Sequence, residues 1–292
     1  MKWRYRCSVA LHGRTVRVLT AGSATDRCPV ILLGGLASPA ADWEAVLDHL
    51  APRTQVIWCE GIRPTGRPRE QGTPVRTTAA LVHDTARALG LPEPWLLVGH
   101  SLGGLYAQGF ARLYPEVTAG LVLVDSTLSA RPARRPWPRA RRAAREFGWG
   151  IVRWLLVETG GAVVFGRLVR RAGVWGQTLH GRDRLPADDA DRLYRDRRSV
   201  ASLLGEGTAS ARAATELHDL ATTHPFPDRP VTVLVAARHG RPWTRRDTTW
   251  VRAQRRLAAL TSTTRFVVLD EAAHLVMLDQ PQAVADAVIQ TI

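Results

Sequence analysis

The feature that most limits the possible folds is a series of short, almost uninterrupted runs of apolar residues. Each run has the length of a β-strand and is rich in Val, Ile and Leu. Runs of this kind are typical of strands that are buried on both faces of a parallel sheet. They lie at residues 29–35, 54–60, 94–101, 119–126, 230–237 and 264–271.

Helical patterns fill the intervals between these runs. The alternation of strand and helix predicts right-handed β-α-β units that build one open sheet. Residues 3–19 alternate loosely around His12-Gly13 and predict an opening hairpin. The predicted fold class is therefore α/β, with a mostly parallel sheet and flanking helices. The helical patterns lie at residues 41–50, 77–90, 102–114, 245–260 and 281–291.

The alternation stops between residues 128 and 228, where no strand pattern is clear. We expect this stretch to be a helical cap inserted into a core made of residues 1–127 and 229–292. In open α/β sheets, ligands bind beyond the carboxyl ends of the strands. A cap placed there would form the roof of a binding pocket.

Positive charge is concentrated in this predicted cap. The chain has a net charge of +14, and residues 131–200 contain 17 arginines against 7 acidic residues. An arginine-favouring codon bias explains part of this, since Lys2 is the only lysine. An anionic partner is the other explanation, and it leaves open a peripheral contact between the Arg-rich cap and an anionic surface. No nucleic-acid-binding motif is present, so we expect no nucleic acid partner.

The sequence "GHSLG", residues 99–103, fits the pattern G-x-S-x-G. An apolar strand leads into it and an amphipathic helix leads out of it. A serine on such a sharp strand-to-helix turn is held out at the edge of the sheet, and glycines on either side avoid collisions with neighbouring elements. The placement predicts that Ser101 is a catalytic nucleophile.

Around this motif, "LVGHSLGGLYAQGFARLYPEVTAGLVLVDST" resembles the α/β-hydrolase fold family, and within it the bacterial serine esterase and lipase branch. The resemblance covers nearly the whole chain. It implies an α/β-hydrolase sheet with a helical cap and a triad in the chain order serine, acid, histidine. Haloalkane dehalogenases and epoxide hydrolases of the family carry Asp at the nucleophile position, so Ser101 argues against both.

The resemblance also implies the partners of Ser101. His274, in "VVLDEAAHLVMLDQP" after the last strand, has the position of the general base, and His239 is the alternative. The family usually places its acid after the penultimate strand, where "VLVAARHGRPW" has no carboxylate. Asp125, after the preceding strand, occupies a second known position, and Asp247 is the other candidate. We expect His100 to be structural, with its side chain pointing away from the site.

The remaining site residues are expected around the nucleophile. Backbone N–H groups of Leu36 and Leu102 are predicted to form the oxyanion hole, although Gly34-Gly35 replaces the His-Gly that the family often has. We expect three residues to contribute to substrate binding, namely Gly35, Tyr106 and Trp154.

Several classes of protein are disfavoured. The three cysteines are widely spaced and form no CxxC, which argues against a disulfide framework or a zinc site. No P-loop or dinucleotide fingerprint is present, so neither a cofactor nor a metal is expected. No apolar run is long enough for a signal peptide or a membrane span, and a cytoplasmic location is predicted.

The leading hypothesis is a serine hydrolase that cleaves an ester or thioester of a small to medium, largely apolar acyl substrate. The alternative keeps the fold but uses the pocket without hydrolysis, as a cyclase, a lyase or a ligand-binding protein. The missing carboxylate after the penultimate strand is the reason to keep this alternative.

Overall fold

The computed structural model describes residues 2–62, 73–129, 161–181, 183–239, 244–245 and 248–292. The strands in these ranges are β1 (Arg4–Leu11), β2 (Arg14–Ala21), β3 (Val30–Leu33), β4 (Val56–Glu60), β5 (Trp95–His100), β6 (Thr118–Val124), β7 (Val231–Ala236), β8 (Arg238–His239), β9 (Thr244–Arg245) and β10 (Arg265–Leu269). The α-helices are α1 (Glu44–Leu50), α2 (Pro74–Ala88), α3 (Leu102–Leu113), α4 (Gly161–Gln177), α5 (Ala187–Tyr194), α6 (Arg197–Thr223), α7 (Thr248–Gln254), α8 (Val276–Asp279) and α9 (Pro281–Thr291).

Eight strands form one sheet in the order β1-β2-β4-β3-β5-β6-β7-β10. β2 pairs antiparallel with both β1 and β4, and every other pairing in this sheet is parallel. The predicted opening hairpin is therefore β1-β2, and the six apolar runs became β3, β4, β5, β6, β7 and β10. The α/β prediction with a mostly parallel sheet is confirmed.

Two apolar layers sandwich the sheet, because successive side chains of a strand point to opposite faces. In β3, Ile31 and Leu33 belong to the layer beneath α2 and α3, whereas Val30 and Leu32 belong to the layer beneath α1 and α9. All four side chains are at most 4% exposed. Burial on both faces explains why these strands show continuous apolar runs rather than alternation.

The predicted cap contributes helices α4, α5 and α6 between residues 161 and 223. α6 is anchored to the core by Glu216, whose carboxylate accepts hydrogen bonds from the backbone N–H groups of Val75 (2.7 Å) and Arg76 (3.0 Å) at the start of α2. Residues 130–160 lie outside the described residues, so the boundaries 128–228 stay a prediction. No helix in the described ranges is both long enough and apolar enough to cross a membrane.

The start of α3 packs directly on the end of β3. A Cβ atom added at Gly103 would lie 2.0 Å from the carbonyl oxygen of Leu33 and 2.6 Å from that of Gly34. At Gly104 it would lie 2.0 Å from Oγ of Ser126. No side chain fits at either position without moving backbone, so these glycines set how closely the nucleophile turn approaches its neighbours.

We therefore predict that Gly103→Ala lowers the free energy of unfolding by about 2 kcal/mol or more, the cost of overpacking against rigid backbone. Gly176→Ala is the matched control, because a Cβ atom there meets nothing within 4 Å. This change lies in α4 and should be neutral or stabilise by up to about 1 kcal/mol. Urea unfolding measures both, and equal stabilities of the two variants would contradict the steric account.

Candidate active site

Neighbouring strands deliver the predicted site residues to one edge of the sheet. β3, β5 and β6 are adjacent, and their carboxyl ends continue into the Gly34-Gly35 loop, Ser101 and Asp125 respectively. His274 lies between β10 and α8 and reaches the same edge. Four segments that are far apart in the sequence therefore meet where an open α/β sheet binds its ligands.

Ser101 lies at a strained turn. Its φ is 50° and its ψ is −119°, a region that non-glycine residues rarely adopt. The turn is fixed on the side of β6: the Ser101 N–H donates to the carbonyl of Val124 (3.1 Å), and the N–H of Thr127 donates to the carbonyl of Ser101 (2.9 Å). The turn from β5 into α3 is thus held in place by hydrogen bonds to the end of β6.

A hydrogen-bond chain connects Ser101, His274 and Asp125. Nε2 of His274 lies 3.1 Å from Oγ of Ser101, and Nδ1 lies 2.6 Å from Oδ2 of Asp125. A carboxylate only accepts, so Nδ1 donates to Asp125, and Nε2 is the ring nitrogen that can accept from the serine hydroxyl. The His274 side chain is 25% exposed and Asp125 is fully buried. The hydrogen-bond chain is therefore open to a substrate at its Ser101 end.

Asp125 is held by β7 and α7 as well as by His274. Its Oδ1 accepts from the backbone N–H of Ala236 (3.1 Å) and from Nε1–H of Trp250 (3.3 Å). Its backbone is left-handed, with φ of 41°, and its N–H donates to the carbonyl of Leu234 (2.7 Å). Trp250 was missed by the sequence analysis, since nothing marks a helical tryptophan as the partner of a distant carboxylate.

His100 does not point away from the site as we expected. Its ring centroid is 4.8 Å from that of His274, and its Nε2–H donates to the His274 carbonyl oxygen (2.9 Å). Burial, and secondarily the charge of His274, lowers the pKa of His100 to about 3. The ring is therefore neutral at physiological pH and supports the segment that carries His274.

The loop after β3 lies against Ser101. The N–H of Ser38 donates to the carbonyl of Gly35 (3.1 Å), which closes a tight turn with Ala37 at a φ of 57°. A Cβ atom at Gly35 would lie 2.7 Å from Nδ1 of His100 and 3.0 Å from Cβ of Ser101. Only glycine allows this approach, which brings the Leu36 backbone beside the nucleophile turn.

A buried ionic cluster ties the cap helices to this loop. Arg170 of α4 is 7% exposed and forms ion pairs with Asp42 (2.5 Å) and Asp183 (2.9 Å). Burial alone would lower the pKa of Arg170, but the hydrogen bond to Asp183 and the charge of Asp42 outweigh it and raise that pKa. The Tyr194 hydroxyl donates to the carbonyl of Ala37 (2.5 Å). The sequence analysis gave no role to this cluster.

Asp42 completes the connection between the cap and the loop. Its carboxylate is 1% exposed and accepts from the Ser38 hydroxyl (3.0 Å) as well as from Arg170. The arginine on the cap therefore contacts the turn that follows β3 through one shared carboxylate.

The other predicted residues have different surroundings. Leu102 is buried at the first position of α3, where N–H groups lack partners within the helix. Leu36 exposes 47% of its surface, whereas Tyr106 is 1% exposed in the core beneath α3. Their oxyanion and substrate-binding roles stay predictions. Trp154, Asp247 and the side chain of His239 lie outside the described residues.

No metal centre is formed by the residues that the structure describes. They contain no group of three or more His, Cys, Asp or Glu side chains placed to hold a metal ion.

Comparison with known proteins agrees with the fold. A sequence model of the Alpha/beta hydrolase family matches residues 30–287. The thermophilic esterase from Thermogutta terrifontis, a solved structure, superposes with a TM-score of 0.63 over 99% of this chain and 97% of its own, at 22% identity.

Curated relatives match over shorter stretches. The pimeloyl-[acyl-carrier protein] methyl ester esterase of Aromatoleum aromaticum is 30% identical over 128 residues, which is 42% of this chain and 49% of that protein. The (lyso)-N-acylphosphatidylethanolamine lipase of Mus musculus is 28% identical over 165 residues, 53% of this chain and 44% of that protein. The matched stretches thus span less than half the length of these relatives.

The ionic cluster gives a stability prediction. Arg170→Met leaves the Asp42 carboxylate buried beside an apolar side chain, and we expect a loss of about 3–5 kcal/mol in the free energy of unfolding. Arg171→Met is the matched control, since this neighbouring arginine is exposed, and it should change stability by less than about 0.5 kcal/mol. Adding Asp42→Asn to Arg170→Met should restore part of the loss in urea unfolding. Equal stabilities of the two arginine variants would contradict the cluster's role.

The lowered pKa of His100 gives a pH prediction. Below about pH 6.5 the His100 imidazole binds a proton in the unfolded chain but stays neutral in the folded chain. The contribution of the neutral His100 ring to the free energy of unfolding is therefore fully present above about pH 6.5, and it is lost as the pH falls toward 3. Between pH 7 and pH 5 the wild type should lose about 2 kcal/mol more than His100→Gln, which keeps an N–H donor but does not titrate. Parallel pH profiles of urea unfolding would refute this.

Proposed function

Because this chain belongs to the Alpha/beta hydrolase family, we propose that it is a serine esterase, with Ser101, His274 and Asp125 as its catalytic triad. The observation that carries the proposal is the continuous hydrogen-bond chain from Oγ of Ser101 through the His274 ring to Asp125. The names of the curated relatives, an esterase and a lipase, support ester hydrolysis as the type of reaction.

In the proposed reaction, Oγ of Ser101 attacks the carbonyl carbon of an ester or thioester while Nε2 of His274 takes the hydroxyl proton. The C–O or C–S bond of the substrate then breaks, and the same proton passes to the leaving alcohol or thiol. Water, deprotonated by His274, attacks the acyl-enzyme and releases the acid and free serine. Asp125 keeps the proton on Nδ1 and stabilises the imidazolium that forms in each half-reaction.

The developing oxyanion requires donors that are in place before the reaction. We assign them to the backbone N–H groups of Leu102, at the start of α3, and Leu36, in the turn after β3. The close approach of Gly35 to Ser101 favours Leu36, because it sets the loop directly beside the nucleophile. Asp42, Arg170 and Tyr194 then act as positioning residues that fix this loop through Ser38 and Ala37.

The substrate class we propose is an acyl ester or thioester of small to medium size. The half-exposed Leu36 side chain provides apolar surface on the loop that approaches Ser101 through Gly35. α6 passes over this loop: a Cβ atom at Gly207 would lie 3.7 Å from Cδ2 of Leu36. The reason for considering non-hydrolytic use of the pocket was the missing carboxylate after β7. Asp125 offers a carboxylate to His274 from the end of β6 instead, which favours hydrolysis.

Turnover of p-nitrophenyl esters, from acetyl to dodecanoyl, tests the proposal. We expect Ser101→Ala to lower kcat by about a thousandfold or more, and Asp125→Asn to approach this loss because it favours the wrong tautomer of His274. Ser8→Ala is the matched control, since this exposed serine lies on β1, and it should keep wild-type rates. A fluorophosphonate should form an adduct at Ser101.

Full ester turnover by Ser101→Ala would disprove the nucleophile assignment. A folded wild-type protein that neither turns over any ester of the series nor reacts with the fluorophosphonate would favour a non-hydrolytic role.

A further inference from the structure

The outer face of the cap helix α4 is a surface to which the proposed reaction gives no role. Phe165, Leu168, Val169 and Trp175 on this helix are between 53% and 63% exposed. In the described part of the chain, the only other exposed large apolar side chains are Tyr5 on β1 (60%) and Leu36 (47%). Four of six such residues thus lie on one helix of 17 residues. A contiguous exposed apolar patch marks an interaction site more often than scattered single residues do.

The opposite face of α4 is fixed against the protein. Arg170 and Val174 are buried, and a Cβ atom at Gly166 would lie 1.9 Å from the carbonyl oxygen of Tyr194. These inward positions are four residues apart and lie on one side of the helix. The exposed residues recur at intervals of three or four on the far side, at positions 165, 168, 169, 172 and 175. The orientation of α4 therefore presents an apolar stripe to solvent, and it is set by the ionic cluster around Arg170.

α4 itself carries only positive charge. α4 contains no acidic residue, and the exposed Arg167 and Arg171 border the apolar stripe on one side. Arg167 is paired with Asp191 of α5, whereas Arg171 extends the basic border. The whole chain carries +14. A helix with Trp, Phe and Leu on one face and arginine beside it has the composition of a helix that lies in the interface of a membrane.

We propose that this stripe, together with Arg171, docks on an anionic phospholipid surface. The apolar side chains would enter the boundary between headgroups and acyl chains, and Arg171 would contact the acidic headgroups. A second copy of the chain is a poorer partner, because self-association would bring together two chains that each carry a net charge of +14. The backbone N–H of Leu275 donates to the carbonyl of Gln177 at the end of α4 (2.9 Å), so the docking helix contacts the segment that carries His274. The proposal goes beyond the esterase function and does not depend on it.

Co-sedimentation with vesicles tests the proposal. One set contains phosphatidylcholine alone, and the other contains about one third phosphatidylglycerol, which supplies the negative surface potential. The wild type should bind the anionic vesicles, and binding should weaken at high salt. Phe165→Gln with Leu168→Gln should lower the partition coefficient about tenfold or more, and Arg171→Gln about fivefold.

Tyr5→Gln and Arg4→Gln are the matched controls. They remove an exposed aromatic side chain and an exposed arginine from β1, on the hairpin that begins the sheet. Both controls should bind vesicles as the wild type does. All substituted positions are exposed, so the fold is expected to tolerate the changes.

Absence of wild-type binding to anionic vesicles would overturn the proposal, as would equal binding by the wild type and the Phe165, Leu168 double variant. Sedimentation velocity without lipid tests whether a second copy of the chain, rather than a lipid surface, covers the stripe. A wild-type dimer that this double variant converts to monomer, with no vesicle binding, would make the stripe an interface between copies. Hydrolysis of p-nitrophenyl acetate in solution is measured in parallel, so failure to dock is distinguished from failure of the proposed enzyme activity.

Discussion

The site depends on how closely the backbone of α3 approaches the end of β3. Carbonyl oxygens of Leu33 and Gly34 occupy the space that a side chain at Gly103 would need. The same crowding at Gly35 brings the turn after β3 against Ser101. With no side chains between them, the backbone at the start of α3 and the turn after β3 both lie close to Ser101. The left-handed backbone of Ser101 is tolerated because both its N–H and its carbonyl are hydrogen-bonded to the chain at the end of β6.

The cap and the core are connected by charge as well as by apolar packing. Arg170 crosses from α4 to Asp42, which also binds Ser38 in the turn beside the nucleophile. An ion pair of this kind contributes little net stability compared with an apolar contact of equal volume, because both charges lose their water. Its directional hydrogen bonds, however, allow only one arrangement of the helix relative to the loop. The cluster thus gives α4 a defined position, at a lower stability than apolar packing of equal volume would give.

The sequence was sufficient for the sheet because burial on both faces leaves a strong compositional signal in each strand. Ser101 could be identified because its turn is local, with the strand, the motif and the helix contiguous in sequence. His274 and Asp125 followed from the family order, and the structure brings both within hydrogen-bond distance of their expected neighbours. Their catalytic roles stay predictions.

Other contacts could not be predicted because they join distant positions. Asp42 and Arg170 are 128 residues apart, and Trp250 is 125 residues from Asp125. Neither partner carries a local pattern that reveals the other. His100 was expected to point away from the site, but its ring donates to the carbonyl oxygen of His274, in the segment between β10 and α8. The contacts of the His100 ring therefore depend on the packing of the segment between β10 and α8, where His274 lies 174 residues further along the chain.

The position of Asp125 has a consequence for how such a chain can vary. In this arrangement the carboxylate that binds His274 comes from the end of β6, and the end of β7 contributes the backbone N–H of Ala236. A backbone donor is independent of the side chain at its position. The segment that follows β7 is therefore released from supplying an acid. Insertions, deletions and substitutions there leave the Asp125 carboxylate in place, so this segment can vary separately from the hydrogen-bond chain.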